Sequence, residues 1–229
     1  MDATARAAAL TSYAVETAGC ARCALSETRN RVVFGSGDPD AELMLVGEAP
    51  GFQEDQGGAP YAAQAGELLE RLLGGIGLQR DDVYLANVLK CRPPQNRDPL
   101  ESEIASCEPH LFRQIELVRP RVVATLGNFA TKLLSGRPYG ITRVHGQGHE
   151  VALGAATVVL FPLYHPAAAL YTPSMLRALE DDFSRLPALL GHERAPAAPA
   201  DRADWVEAPL PVIENDAVAV GTATQLGLF

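Results

Sequence analysis

The sequence predicts a three-layer α/β/α fold around a central, mostly parallel four-stranded sheet. Four short apolar runs alternate along the chain with segments whose apolar residues have helical spacing. The four runs are continuously apolar and do not alternate with polar residues, which indicates strands buried on both faces. Strands that alternate with helices in this way form parallel sheets covered by helices on either side.

Each predicted element has its own signal. The runs AELMLV, VYLANVL, RVVATL and TVVLFP predict strands at 41–46, 83–89, 121–126 and 157–162. The leucines at 68, 69, 72 and 73 share one helical face, and the glycines at 74 and 75 end that helix. Helices are predicted at 4–18, 65–73, 99–118, 128–134 and 173–190.

The composition separates a folded domain from a tail. The 229 residues suffice for one α/β domain with a sizeable core, which we predict at 1–190. Beyond it the chain mixes Pro, Ala and Asp without a period, as in APAAPA at 195–200, so 191–224 are predicted to be a flexible linker. The chain has no apolar run of transmembrane length and no signal peptide, which favours a cytoplasmic protein without a membrane partner.

The net charge of −9 disfavours a nucleic-acid binder that relies on its overall field. The residues from 191 onward include six acids and two arginines, so this tail carries −4 of the charge. A DNA-binding protein with this balance needs a local basic rim, and its binding is expected to be weak and salt-sensitive. The candidates for such a rim are Lys90, Arg92, Arg97, Arg137 and Arg143.

Three polar side chains lie at or just after the ends of predicted strands. Glu48 follows the first strand, Asn87 lies late in the second, and His165 follows the fourth. Ligands of parallel α/β sheets bind beyond the carboxyl ends of the strands, where these three residues would meet. Each residue alone is a weak signal, but their convergence from distant positions predicts a site.

The chain contains four cysteines, at positions 20, 23, 91 and 107. They could be unrelated buried thiols, but Cys20 and Cys23 form a C-x2-C pair, and one tetrathiolate site would use all four. Disulfides are disfavoured in the cytoplasm. Four thiolates suit either tetrahedral zinc or an iron–sulfur cluster, and their spacing alone does not choose between the two.

Four blocks of the sequence resemble the motifs of family 4 uracil-DNA glycosylases. These blocks are GEAPGFQED at 47–55, GAPY with AGELL at 58–69, NVLKCRPP at 87–94 and HPAAAL at 165–170. The likeness spans about residues 10–190, and the four cysteines match the family's cluster ligands. The resemblance implies a uracil-DNA glycosylase-like fold and hydrolysis of the N-glycosidic bond of deoxyuridine, in single- or double-stranded DNA. It also implies a [4Fe-4S] cluster held by Cys20, Cys23, Cys91 and Cys107.

The resemblance assigns roles in binding the base. Asn87 would accept a hydrogen bond from uracil N3–H and donate one to O4, a pattern that cytosine reverses. Tyr61 takes the position where the family usually has a stacking phenylalanine, and its additional hydroxyl needs a partner. His165 would donate a ring N–H to uracil O2, where negative charge develops as the bond breaks.

Other roles follow from the same resemblance. Glu48 would orient the attacking water or stabilise positive charge on the sugar. Ala49 and Gly51 would provide pocket walls and amide donors. Leu170 would be the wedge that enters the duplex when the nucleotide is rotated out of the stack.

The last five residues, QLGLF, resemble the peptide with which bacterial proteins bind the sliding clamp. A flexible tether could carry this peptide into a preformed groove and concentrate the enzyme at replicating DNA. The resemblance implies a clamp partner, a place in the nucleoid, and a monomeric enzyme. The clamp-binding residues would be Gln225, Leu226, Leu228 and Phe229.

Two other functions are compatible with parts of the sequence. A non-catalytic DNA-binding or clamp-adaptor module could use the same fold, although the presence of Glu48, Asn87 and His165 argues against it. A phosphate-binding enzyme could use the glycine-rich segment 47–58. That segment lacks the G-x4-G-K-[ST] pattern, and its acidic residues would repel a phosphate.

Overall fold

The protein is described by a computed structural model that covers residues 2–191, and these residues form a six-stranded sheet with helices on both faces. The spatial order of the strands is β1-β3-β2-β4-β6-β5. Their bounds are Ser36–Gly37 (β1), Leu43–Gly47 (β2), Tyr84–Asn87 (β3), Val122–Leu126 (β4), His149–Leu153 (β5) and Ala156–Leu163 (β6).

The four predicted strands correspond to β2, β3, β4 and β6, which pair in parallel. The predicted strand count was wrong, because two antiparallel strands lie at the edges. β1 pairs with β3, and β5 pairs with β6. β1 has only two residues and β5 is mostly half-exposed, so neither forms the continuous apolar run that identifies a central strand.

The predicted long helices are confirmed, with small shifts at their ends. Residues 173–190, predicted as one helix, form two, because the chain turns at Ser184–Arg185 and a new helix begins at Leu186, with Pro187 in its first turn. No helix among residues 2–191 is long and apolar enough to cross a membrane. The helices are Ala3–Ala18 (α1), Phe52–Gly57 (α2), Gln64–Gly75 (α3), Glu101–Val118 (α4), Asn128–Ser135 (α5), Ile141–Val144 (α6), Pro166–Ala169 (α7), Pro173–Phe183 (α8) and Leu186–Leu189 (α9).

Alternating side chains of the central strands form two separate cores, one on each face of the sheet. Leu43 and Leu45 of β2 belong to the core that includes residues of α3, α8 and α9. Met44 and Val46 point the other way and belong to the core formed with α1, α4 and α5. Burial on both faces explains why these strands are continuously apolar, and it confirms the three-layer α/β/α arrangement.

Candidate active site

The carboxyl ends of the parallel strands bring the predicted site residues to one edge of the sheet. Gly47 ends β2 and is paired with Asn87, which ends β3. β6 ends at Leu163, two residues before His165, and Gly127 directly after β4 donates its N–H to the Leu163 carbonyl at 2.8 Å. The edge where the sequence predicted a site is therefore the edge where these residues lie.

Tyr61 joins the residues contributed by different strands. Its hydroxyl donates to Asn87 Oδ1 at 3.4 Å, and its ring centroid lies 6.2 Å from that of His165. The structure therefore brings Asn87 and His165 to the same aromatic ring, and both Tyr61 and Asn87 are buried. The tyrosine hydroxyl, which needed a partner at the position where the resembled family has phenylalanine, has one in Asn87.

The positions of Tyr61 and Asn87 depend on close packing against the backbone. Tyr61 has a φ of 54°, which is left-handed and unusual for a large side chain. Its backbone is held by Arg80, which donates to the carbonyl oxygens of Pro60 and Tyr61. Gly47 leaves the space for both side chains, since a Cβ there would overlap the Tyr61 hydroxyl and Asn87 Oδ1.

His165 has a defined tautomer. It is the N-cap of α7, and its Nδ1 accepts a hydrogen bond from the N–H of Ala167 at 3.1 Å. Because Nδ1 accepts, the neutral ring carries its proton on Nε2. Burial lowers the pKa of His165 to about 4, so the ring is neutral near pH 7. The site thus holds a neutral imidazole with an available Nε2–H.

Glu48 lies directly after β2 and is half-buried. Its carbonyl accepts a hydrogen bond from the N–H of Leu89 at 2.9 Å, which fixes its backbone beside the loop that follows β3. Burial raises the pKa of the Glu48 carboxyl, and the nearby Asp98 carboxylate raises it further. Glu48 therefore provides a carboxylate with increased proton affinity at the edge of the sheet where the other site residues lie.

The loop after β2 is fixed by a buried carboxylate. Asp55 accepts hydrogen bonds from the N–H of Asn30 at 2.9 Å and from its side-chain amide at 2.5 Å. Gly51 is the N-cap of α2 in this loop, and Ala49 is half-buried against the cluster of apolar residues that includes Cys91 and Cys107. Ala49 therefore lies between the strand edge and the cysteines, and Asp55 is a structural residue that the motif alone did not identify.

Leu170 and Tyr171 differ in exposure. Leu170, predicted as the duplex wedge, is half-buried and packs against the core on the α3 and α8 face. The next residue, Tyr171, is 72% exposed. Both follow α7 and thus lie close to His165 in the chain. Of the two, Tyr171 presents the larger side-chain surface to solvent.

All four cysteines line a single cavity. Cys20 and Cys23 follow α1, Cys91 lies in the loop after β3, and Cys107 lies in α4. The described residues contain no group of three or more His, Cys, Asp or Glu side chains that could hold a single metal ion. The cavity is therefore lined by the segment after α1, the loop after β3 and α4.

N–H groups point at the cysteine sulfurs. The backbone N–H of Lys90 donates to Cys107 Sγ at 3.2 Å, and Arg29 Nη1 donates to Cys91 Sγ at 3.5 Å. His110 Nε2 lies 3.4 Å from Cys20 Sγ, and its Nδ1 lies 2.6 Å from the Tyr13 hydroxyl. Four cysteine sulfurs around one cavity, with N–H donors near three of them, have the donor chemistry of an iron–sulfur site.

The predicted basic rim is wrong at Lys90. Its side chain is 1% exposed, because it runs inward and lines the cysteine cavity. Burial lowers the pKa of Lys90 to about 7, an effect that Cys107 and Cys91 oppose. Arg97 forms two hydrogen bonds with the buried Glu103 carboxylate, which partly neutralises its charge. Arg92 lies over the exposed Phe52 ring, with its guanidinium carbon 5.1 Å from the ring centroid.

Sequence reasoning missed three buried polar residues around the site. Lys90, His110 and Gln114 are all buried, and each bonds to a residue near the cysteines or the base-binding edge. His110 and Gln114 lie on the buried face of α4. Helical periodicity could therefore have identified them as polar residues on an apolar face. Nothing in the sequence indicates which groups they contact.

The linker at 191–224 and the clamp peptide at 225–229 fall almost entirely outside the residues that the structure describes. Gln225, Leu226, Leu228 and Phe229 therefore have no structural description.

Known proteins resemble the chain across the whole sheet. The model of the uracil DNA glycosylase superfamily matches residues 34–186. The type-4 uracil-DNA glycosylase of Sulfurisphaera tokodaii is 44% identical over 176 residues, which cover 75% of this chain and 80% of the relative. The enzyme of the same name from Archaeoglobus fulgidus is 42% identical over 78% of this chain and 92% of its own. That from Thermotoga maritima is 42% identical over 65% of this chain and 76% of its own.

Proposed function

The chain belongs to the uracil DNA glycosylase superfamily, in its type-4 branch, and from that premise we propose how its residues remove uracil from DNA. The reaction is hydrolysis of the N-glycosidic bond of deoxyuridine, which releases uracil and leaves an abasic site. The observation that carries the proposal is the position of Tyr61, whose hydroxyl contacts Asn87 and whose ring lies beside His165. A carboxamide, an aromatic ring and an imidazole are the groups needed to hold an extruded pyrimidine.

Asn87 reads the pairing edge of the base. The Tyr61 hydroxyl donates to Oδ1, which orients the amide and leaves the second lone pair of Oδ1 free to accept from uracil N3–H. The Nδ2 group then donates to uracil O4. Cytosine has an acceptor at N3 and a donor at N4, so each mismatch would cost about 1–3 kcal/mol in a buried site.

Tyr61 provides the stacking surface. Its ring is buried and fixed by the backbone contacts of Arg80, so little conformational entropy is lost when a base stacks on it. Stacking on an aromatic ring contributes about 1–3 kcal/mol for each base. The ring also excludes water from the neighbouring Asn87 amide.

His165 stabilises the leaving group. Cleavage of the glycosidic bond leaves negative charge on the departing uracil, and the Nε2–H of His165 donates to O2 as this charge develops. The donor is neutral, since Nδ1 accepts from Ala167, and the low pKa disfavours the imidazolium form. One such preorganised donor contributes about 2.7–4 kcal/mol to transition-state stabilisation.

Glu48 acts on the sugar side of the bond. Its carboxylate orients the attacking water and accepts its proton, and the raised pKa makes it a better base. Glu48 also stabilises positive charge on the sugar as the base departs. Ala49 and Gly51, on the loop that follows Glu48, form the adjacent wall of the pocket.

Leu170 and the exposed residue after it would meet the duplex. We propose that Leu170, close to His165 in the chain, fills the gap that the extruded nucleotide leaves in the duplex. The local rim of Arg92, Arg137 and Arg143 would contact phosphates. Because this rim is small, DNA binding should weaken steeply with added salt.

The cysteine cavity is the place for a [4Fe-4S] cluster, held by Cys20, Cys23, Cys91 and Cys107. The sulfur donor set and the N–H groups of Lys90 and Arg29 support this assignment, and membership of the type-4 branch favours the cluster over zinc. When bound, the group supplies covalent cross-links between distant segments. The base-binding residues act without it in each step described above.

The C-terminal peptide 225–229 tethers the enzyme to the bacterial sliding clamp, with 191–224 as the linker from the catalytic domain at 1–190. This proposal rests on the resemblance of QLGLF to clamp-binding peptides. The tether would place a monomeric enzyme at replicating DNA in the nucleoid, where misincorporated uracil appears.

The glycosylase proposal is tested with an oligonucleotide that contains one deoxyuridine. Purified holoprotein should release uracil, as measured by alkaline cleavage of the abasic strand, and should leave matched deoxycytidine and thymidine strands intact. Asn87→Leu should slow release about 10–100-fold, because it removes both hydrogen bonds to the base. Gln56→Leu, which removes an exposed side-chain amide on α2, is the control. A wild-type holoprotein that releases no uracil refutes the proposal.

A further inference from the structure

Lys90 connects the cysteine cavity to the base-binding edge. Its Nζ donates to the Asn87 carbonyl at 2.7 Å and to Gln114 Oε1 at 2.5 Å. Its backbone N–H donates to Cys107 Sγ, and its side chain lines the cavity that holds the four cysteines. One residue therefore bonds both to a cysteine ligand and to the residue that reads uracil.

Among the residues described, the Lys90 ammonium group has only neutral hydrogen-bond acceptors, so the negative charge of nearby cysteine thiolates is important for its stability. Both acceptors of Nζ are neutral oxygens, and no carboxylate within residues 2–191 forms an ion pair with Lys90. A buried charge without a counter-charge is strongly unfavourable. The sulfurs of Cys91 and Cys107 line the same cavity as the Lys90 side chain, Cys107 Sγ accepts from the Lys90 backbone N–H at 3.2 Å, and both sulfurs are negatively charged when they bind a metal group as thiolates.

The other end of the network fixes the turn after β3. Gln114, which accepts from Lys90, donates from Nε2 to the Phe34 carbonyl at 2.8 Å and to the Tyr84 hydroxyl at 3.2 Å. The Lys90 carbonyl accepts from the N–H of Val33 at 2.8 Å. The turn from Asn87 to Lys90 is thus held by α4 and by the segment before β1.

We propose that Lys90 is a positioning residue through which the cysteine-bound group orients Asn87 for uracil. The inference rests on the proposed function, since it uses Asn87 as the reader of the base. Lys90 touches neither the base nor the sugar, and it acts by holding the Asn87 carbonyl. In this arrangement the cysteine-bound group supports base recognition as well as the fold.

The test compares Lys90→Met with Lys132→Met in the holoprotein. Each change removes one ammonium and keeps an unbranched side chain, but Lys132 is exposed on α5. Three quantities are measured for both variants: visible absorption of the cluster with bound iron, inhibition by free uracil, and affinity for abasic-site DNA. We expect Lys90→Met to retain iron and abasic-DNA affinity but to bind free uracil about 10-fold more weakly. Lys132→Met should bind uracil like the wild type.

A second variant covers the case in which Lys90→Met does not fold. Gln114→Leu removes one acceptor of the ammonium and leaves Lys90 in place, and we expect a two- to five-fold weaker inhibition by uracil. Unchanged inhibition by uracil in folded, iron-loaded Lys90→Met, or in Gln114→Leu when Lys90→Met cannot be obtained, overturns the inference. A wild-type enzyme that neither releases uracil nor is inhibited by it overturns the proposed function instead.

Discussion

His165 should act as a neutral donor, and replacing it tests this role. His165→Leu introduces an apolar side chain of similar size and removes the Nε2–H. The structure fixes the tautomer through the Ala167 N–H and keeps the pKa at about 4. Loss of one preorganised donor of about 2.7–4 kcal/mol should slow base release about 100- to 1,000-fold.

Single-turnover release of uracil from a labelled oligonucleotide measures this effect without interference from product release. His149→Leu is the control, because it replaces a half-buried histidine on the edge strand β5. The wild-type rate constant should also not fall as the pH rises from about 5 to about 8, because the imidazolium form is not needed. A loss of less than 10-fold in His165→Leu, or a wild-type rate constant that falls as the pH rises through about 6.5, refutes the neutral-donor mechanism.

The same low pKa predicts a change in stability with pH. In the unfolded chain His165 titrates near 6.5, whereas in the folded protein it titrates near 4. The unfolded state therefore binds the proton first, and the fold loses stability as the pH falls from about 6.5 to 4. The difference amounts to at most about 3 kcal/mol, since the residue as a whole is only half-buried. Urea denaturation should show a smaller loss over this range for His165→Leu than for wild type.

Three further changes have defined outcomes. Tyr61→Phe should keep stacking but free the Asn87 amide, so that the preference for uracil over cytosine falls about two- to ten-fold in paired cleavage assays. Gly47→Ala should reduce uracil release more than 10-fold, because the new Cβ overlaps Tyr61 and Asn87, and adding Tyr61→Phe should restore part of the rate. Deletion of 225–229 should abolish co-elution with the sliding clamp and leave activity on naked DNA unchanged.

Each of these predictions has a contrary result. An unchanged preference in Tyr61→Phe would mean that its hydroxyl does not orient the amide. Full activity of Gly47→Ala would contradict the close packing at the end of β2. Co-elution of the truncated chain with the clamp would assign that contact to another surface.

The central sheet could be predicted because its strands are buried on both faces. Continuous apolar sequence such as LMLV in β2 results directly from that burial, and the polar residues at the strand ends mark the site edge. The two edge strands were not predicted, since a two-residue bridge and a half-exposed strand have no comparable signal. Edge strands also depend on which neighbour pairs with them, which a local pattern does not contain.

The sequence predicted that the candidate residues converge, but it did not predict the contacts that support them. Asn87 and His165 were expected to converge, and they contact the same tyrosine. Lys90 was expected at the surface because lysines rarely lie in the interior. Its inward direction depends on Gln114 and on the cysteines, which come from other parts of the chain, so sequence near Lys90 could not reveal it.

The four cysteines that line the cavity come from distant parts of the chain, which limits how early in synthesis their site can form. Cys20 and Cys23 are synthesised early, but Cys107, which lines the same cavity, lies in α4 and is synthesised only after β1, β2 and β3. A metal group held by all four cysteines, as proposed above, could therefore form only after α4 has been synthesised. Until then α1, which packs mainly on α4, has no docking site, so the synthesis of α4 sets the earliest point at which the amino terminus is protected from proteases.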